Sequence, residues 1–142
     1  NRRRRVIMPF ILQSKVTDLD ITDNPLVYYV YPENVERVGG SEFTKRLRKN
    51  VDQCLPLVIK QKSFKTKDSF WLDEDFDFAR KHFTETQDMI KVKMNKHESI
   101  VVFSLDNLYA EMDDIKKHSP MFHKFILDQI AFMRDRWKPR AV

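Results

Sequence analysis

Four carboxylates crowd one short stretch, Asp73-Glu74-Asp75 and Asp77, and paired carboxylates are common equipment for general acid–base chemistry. Their position favours a plainer role. They open a run with helical spacing, where negative side chains complement the partial positive charge of the first turn. Asp113 and Asp114 read the same way for a later helix. His82, His97, His118 and His123 are scattered, and the closest pair, His118 and His123, is off the three- or four-residue spacing that shares a helix face. With no HExxH and a single cysteine, no metal-ligand set is readable. Cys54 follows a basic helix but adjoins Leu55, so a buried structural thiol is expected rather than an activated one. No G-x-S-x-G, P-loop or G-x-G-x-x-G occurs. The sequence therefore reads as non-catalytic, with no catalytic residue, no metal and no cofactor assigned.

Two sets of residues remain that could bind something. One is polar and turn-forming: Asn34 with Gly39 and Gly40, and Asp106 with Asn107. The other is basic. Lys45, Arg46, Arg48, Lys49, Lys60, Lys62, Lys65 and Lys67 share one segment with Asp52 as its single acid, and Arg2, Arg3, Arg4 and Arg5 form a terminal arm. Such a set suits electrostatic contact with phosphates, carrying little sequence readout. Tyr28, Tyr29, Tyr31, Phe64 and Trp71 offer rings for base stacking nearby. A solvated helix face is the competing explanation for the same charges.

The elements that must position these residues follow from hydrophobic periodicity. Ser99-Ile100-Val101-Val102-Phe103 is a nearly unbroken apolar run, as in a central strand of a parallel sheet buried on both faces. Ligands in open α/β sheets sit at the carboxyl ends of strands, which places a pocket floor at Ser104–Met112. Leu26–Tyr31 and Leu55–Lys60 read as further strands, and Val6–Val16, broken by Pro9, as an edge strand or two short pieces. Thr17–Pro25 reads as a turn, and Pro32–Gly40 as a loop holding both glycines of the chain. Ser41 caps a helix from Glu42 to about Asp52 with Phe43, Leu47 and Val51 as its stripe. Further helices are expected from Asp73 to about Met89 and from Leu108 to Lys117. A last helix starts at Ser119-Pro120 and buries Phe122, Phe125, Ile126, Gln129, Ile130 and Met133. The order β, β, α, β, α, β, α, α implies an α/β domain with a mixed sheet.

At 142 residues the chain fits one domain with a real core, and 11 Phe argue against wholesale disorder despite a mean hydropathy of −0.56. The charge of +5 permits nucleic acid as a partner. No apolar run is long enough for a membrane span, and no signal-peptide pattern is visible, so a cytoplasmic protein without membrane contact is expected.

Tyr31-Pro32-Glu33-Asn34-Val35-Glu36-Arg37-Val38-Gly39-Gly40 resembles the phenylalanine-glycine-aspartate-asparagine-leucine…glycine-glycine loop of small macrodomain-like proteins found in bacteria and phages. Phe70–Phe76 is similar to that family's phenylalanine…aspartate-x-aspartate-phenylalanine approach to its central helix. Ile100–Met112 resembles its strand and glycine-rich loop, and Ser119-Pro120 its alanine-proline helix start. The resemblance spans residues 6–135. It implies a single three-layer macrodomain-like domain over residues 6–137, a basic arm at 1–5 and a tail at 138–142. It also implies a cleft for ADP-ribose or a nucleotide derivative, with Asn34, Gly39, Gly40, Asp106 and Asn107 as vestigial ligand positions. The pattern departs at Pro32 and Glu33, and at Asn107, Tyr109 and Glu111, which stand where the family has glycines. Larger side chains keep backbone N–H groups from a pyrophosphate. The expected function is thus a phage-derived, non-catalytic binding module. Its partner would be RNA, DNA or a protein assembly such as a phage complex, in the host cytoplasm or virion. It would use Arg2–Arg5, Lys45, Arg46, Arg48, Lys49, Lys62, Lys65 and Lys67. The alternative is binding or hydrolysis of an ADP-ribose-like ligand in the cleft.

Overall fold

The computed structural model describes residues 6–7, 9–63, 66–96 and 99–141. Its elements run β1 (Val6–Ile7), β2 (Phe10–Gln13), α1 (Asp18–Asp23), β3 (Val27–Asn34), α2 (Glu42–Lys49), β4 (Cys54–Lys60), α3 (Phe76–Met94), β5 (Ile100–Ser104), α4 (Leu105–His118), α5 (Pro120–Arg136) and β6 (Arg140–Ala141). Single 3-10 turns lie at Lys67–Ser69 and Asp73–Asp75.

Four strands form one sheet in the order β2-β5-β3-β4, and every pairing in it is parallel. The expectation of a mixed sheet is corrected. Each connection between successive strands of this sheet carries a helix that returns the chain to the same end, and no tight hairpin reverses its direction. Antiparallel pairing is confined, among the described residues, to β1 with β6, where Arg140 and Ala141 of the expected tail lie against Ile7 and Val6.

Side chains alternate between two cores, as a period of two requires. On β5, Val101 and Phe103 join a large core with Phe83 and Ile90 of α3, Leu108 and Met112 of α4, and Phe122 and Ile126 of α5. Ile100 and Val102 point the other way, into a smaller core with Ile21 of α1 and Leu47 of α2. The sheet is therefore covered on both faces. Its β4 edge is closed chemically: Cys54 N–H donates to the Asn50 carbonyl (2.9 Å), Pro56 has no N–H, and Val58 N–H donates to Thr86 Oγ1 (3.1 Å). Such an edge offers little to an invading strand.

Local chemistry explains where element ends differ from expectation. Thr17–Pro25 contains α1, because Thr17 and Asp20 form a reciprocal cap: Asp20 N–H to Thr17 Oγ1 at 3.2 Å, Thr17 N–H to Asp20 Oδ2 at 2.9 Å. β3 runs on through Pro32 to Asn34; its pairing with β5 stops at Val30, so the missing proline N–H falls where β4 is the remaining neighbour. α2 stops at Lys49, where the Asn50 N–H closes on the Arg46 and Leu47 carbonyls, leaving Val51 exposed instead of in the stripe. α3 continues past Met89 to Met94. The last helix starts as expected, with Ser119 Oγ accepting from Phe122 N–H. Phe122, Ile126, Ile130 and Met133 of its stripe are buried.

Candidate functional site: the carboxyl-end cleft

The carboxyl ends of β3 and β4, together with α4 that follows β5, open onto a cleft of about 300 Å³. Its walls come from the end of β3 (Pro32, Glu33, Asn34), the end of β4 (Ile59, Lys60), the start of α2 (Gly40, Ser41, Thr44, with Arg48) and the first turns of α4 (Asn107, Ala110, Glu111). Ser41 starts α2 by accepting the Thr44 N–H at 3.1 Å. Gly39 and Gly40 both have positive φ, at 70° and 88°, and a Cβ on Gly39 would collide with the Ser63 side chain. The chain turns sharply here from β3 into α2, and these two glycines allow it.

Two ion pairs cross the cleft walls. Glu33, at 2% exposure, receives both prongs of the Arg48 guanidinium, Nε on Oε2 and Nη2 on Oε1, each at 2.7 Å. Arg48 Nη1 also donates to the Gly39 carbonyl at 3.0 Å, tying α2 to the glycine turn. The hydrogen bond to Glu33 holds the Arg48 guanidinium charged, above its ordinary range. Burial, and then the charge of Glu33, raises the neighbouring Tyr31 phenol above its ordinary value. The second pair is Lys60 Nζ with Glu111 Oε1 at 3.1 Å; Lys60 also donates to the Ser63 carbonyl at 3.1 Å and lies over the Phe70 ring.

Two acceptors in the same walls are left over. Asn34, at 3% exposure, donates Nδ2 to the Val38 carbonyl at 2.9 Å and to Glu33 Oε1 at 3.4 Å, which sets the amide orientation. Its Oδ1 is buried with no hydrogen-bond partner among the described residues, and so is Glu111 Oε2. A polar atom in this condition raises the free energy of the fold by about 1–3 kcal/mol, so it marks a place to look for a ligand.

The chain matches a family profile over residues 11–129, from β2 into α5. It belongs to DUF7831, a family of unknown function. No curated protein and no solved structure matches it. The matched span contains every wall of the cleft.

The structure brings Asn34, Gly40 and Asn107 to this cleft. Gly39 supports it from behind through its carbonyl. Asp106 lies in an adjoining pocket with Lys15, Thr17, Asp18, Arg46 and Ser104, which shares Asn107 with the first. The expected loop at Ser104–Met112 is corrected: α4 starts at Leu105, directly after β5, and Asp106 and Asn107 occupy its first turn. The carboxylate of Asp106 at a helix start is electrostatically favoured there. Glu111 follows Asn107 at helical spacing and so faces the same cleft, a signal readable once the segment is known to be helix. Glu33 and Lys60 are charges inside strand pattern, and the partner of each, Arg48 and Glu111, lies elsewhere in the chain, so neither pairing is readable from the sequence.

The basic residues do not act as one free set. Arg48 is committed to Glu33 in the cleft wall. Arg46 forks onto Asp18 with Nε–Oδ1 at 3.0 Å and Nη2–Oδ2 at 2.7 Å, and Lys45 pairs with Glu42 at 3.3 Å. Lys49, Lys62 and Lys67 are exposed. Arg2, Arg3, Arg4, Arg5 and Lys65 lie outside the described residues, as does Phe64. The expected stacking rings are corrected: Tyr29, Tyr31 and Trp71 are buried, because the apolar character that makes strands also places these rings in the two cores and leaves no face for a base. Trp71 instead stacks on His82 at 5.9 Å, and Phe70 on His118 at 5.1 Å. Cys54 is buried in the smaller core, where desolvation pushes its thiol up to about 11. Among the described residues no group of three or more His, Cys, Asp or Glu could hold a metal, and no helix is long and apolar enough to cross a membrane.

Proposed function

We propose that the protein is a non-catalytic binding module of macrodomain-like architecture, with a small polar ligand of nucleoside type in the carboxyl-end cleft. The reading is carried by Asn34 Oδ1 and Glu111 Oε2, two buried acceptors in the walls of one cleft that have no partner among the described residues. The cleft's volume, about 300 Å³, suits a ligand of that size. Binding is favoured over hydrolysis because Glu33 has both oxygens on Arg48 and Glu111 is neutralised by Lys60. Neither carboxylate is then a free base. The test is calorimetry and thermal shift with adenosine, AMP and ADP-ribose on the wild type and on Ala110→Phe, which fills the cleft from an exposed helical position. At least one ligand is expected to bind the wild type and to lose binding in the variant. Silence from all three ligands, or equal binding by Ala110→Phe, refutes the reading.

A second reading is favoured by the exposure of Lys45, Arg46 and Lys49 on α2 and of Lys62 and Lys67 beyond β4. These charges would hold RNA or DNA by its phosphates. Affinity for single strands would then fall with salt at a log–log slope of about −0.7 per phosphate neutralised, and Lys45→Gln with Lys49→Gln would flatten that slope. A salt-independent affinity, or none, removes this reading.

A further inference from the structure

We infer that the cleft selects an uncharged ligand presenting an amino group on a flat, conjugated carbon, and discriminates against phosphates and carboxylates. This rests on the cleft being the binding site. The four charged side chains of the cleft compensate each other pairwise, Glu33 with Arg48 and Lys60 with Glu111. No net positive charge is left to attract an anion. The donors of the two cations are also largely engaged. Lys60 has three N–H groups; it gives hydrogen bonds to Glu111 Oε1 and the Ser63 carbonyl, and its ammonium lies 5.5 Å from the centre of the Phe70 ring. Arg48 donates to both oxygens of Glu33 and to the Gly39 carbonyl.

Among the described residues, the buried side-chain atoms left open in these walls are acceptors: Asn34 Oδ1 and Glu111 Oε2. A phosphate or carboxylate oxygen against either would be acceptor against acceptor, which repels. A ligand ammonium would meet Lys60 beside Glu111. A hydroxyl brings one donor together with its own lone pairs. An amino group on a conjugated carbon is different, because its lone pair is delocalised into the ring or carbonyl and it presents only N–H donors. Carboxamides and amino-bearing nucleobases share this group.

Glu111→Gln gives a sharp test, because Lys60 dictates the new amide's orientation. The Gln oxygen must face the Lys60 ammonium, so the –NH₂ takes the place of Oε2 and the wall changes from acceptor to donor. NMR titration of ¹⁵N-labelled protein with adenosine, inosine and AMP, following Gly40, Asn107 and Ala110, reads both the site and the affinity. In the wild type adenosine is expected to bind more tightly than inosine, with AMP no tighter than adenosine. In Glu111→Gln, adenosine should weaken by about ten- to a hundredfold, the loss of a hydrogen bond to a charged acceptor, while inosine gains. If Glu111→Gln does not fold, benzamide against benzoate on the wild type poses the same question, since the two differ only in NH₂ against O⁻. Benzamide should shift the cleft signals and benzoate should not. Tighter binding of AMP, inosine or benzoate at those signals overturns the selectivity and leaves the cleft as the site. If no compound moves the cleft signals at millimolar concentration, both the selectivity and the cleft reading fall.

Discussion

Arg48→Ala is the most informative perturbation of this fold, because it removes one partner of a buried ion pair and leaves the other in place. The Glu33 side chain is 1% exposed, and Arg48 supplies two 2.7 Å hydrogen bonds to it. Without Arg48, the carboxylate has the Asn34 amide groups, at 3.0 and 3.4 Å, but no counter-charge. Breaking such a pair from one side costs about 3–5 kcal/mol. Against the total stability of an ordinary domain, about 5–15 kcal/mol, that is a large fraction. At roughly 2–4 °C per kcal/mol for a chain near this size, Tm should fall by about 6–20 °C. Urea denaturation followed by circular dichroism measures it, alongside Arg48→Lys and the double variant Glu33→Gln/Arg48→Met. Arg48→Lys keeps the charge but loses the planar fork and should lie between wild type and Arg48→Ala. The double variant removes both charges and should be less destabilised than Arg48→Ala. The reasoning is refuted if Arg48→Ala loses less than about 1 kcal/mol, the range of exposed pairs. It is equally refuted if the double variant is as unstable as the single one.

Thr86→Val is nearly isosteric but leaves the Val58 N–H at the sheet edge without its 3.1 Å acceptor. It should cost about 1–3 kcal/mol in urea, and Thr86→Ser should recover most of that. An unchanged urea midpoint in Thr86→Val would show that solvent reaches that edge. Stability should also decline in alkali. Burial lifts the Cys54 thiol from 9.0 to about 11 and, with Asp20 and Glu33 respectively, raises the Tyr29 and Tyr31 phenols. For each group the folded state keeps a proton that the unfolded chain releases. Their stabilising contribution is therefore full below about pH 9 and is lost as pH rises from there. Denaturation curves between about pH 7 and pH 11 check this, with Cys54→Ala expected to delay the decline. A flat profile across that range contradicts it.

Much of the fold was legible because its signals are local. The apolar run at Ile100–Phe103 announces an interior strand, and β5 does sit between β2 and β3. Ser119 with Pro120 announces a helix start, and the stripe from Phe122 to Met133 is the face that α5 buries. A cap or a periodicity acts within a few residues, so reading neighbours suffices. The errors came where local signals compete. Thr17–Pro25 has turn composition, yet the reciprocal Thr17–Asp20 cap makes it helical. Ser104–Met112 resembles a ligand loop by position, yet it lacks the glycines that would hold it open and winds into α4.

The parallel direction of the sheet and the character of the cleft are tertiary. Composition makes Lys45, Arg46, Arg48 and Lys60 look like one basic set, but each is answered by a carboxylate: Glu42, Asp18, Glu33 and Glu111. Arg48 and Glu33 are 15 residues apart, and Lys60 and Glu111 are 51 apart. The sequence by itself determined the α/β class, the strands of the four-stranded sheet and the starts of α2 and α5, because backbone hydrogen bonding and side-chain periodicity act over short spans. Only the tertiary structure decided which charges are neutralised and which acceptors remain. Those depend on distances between side chains that come together when β3, β4 and β5 are laid side by side beneath α2 and α4.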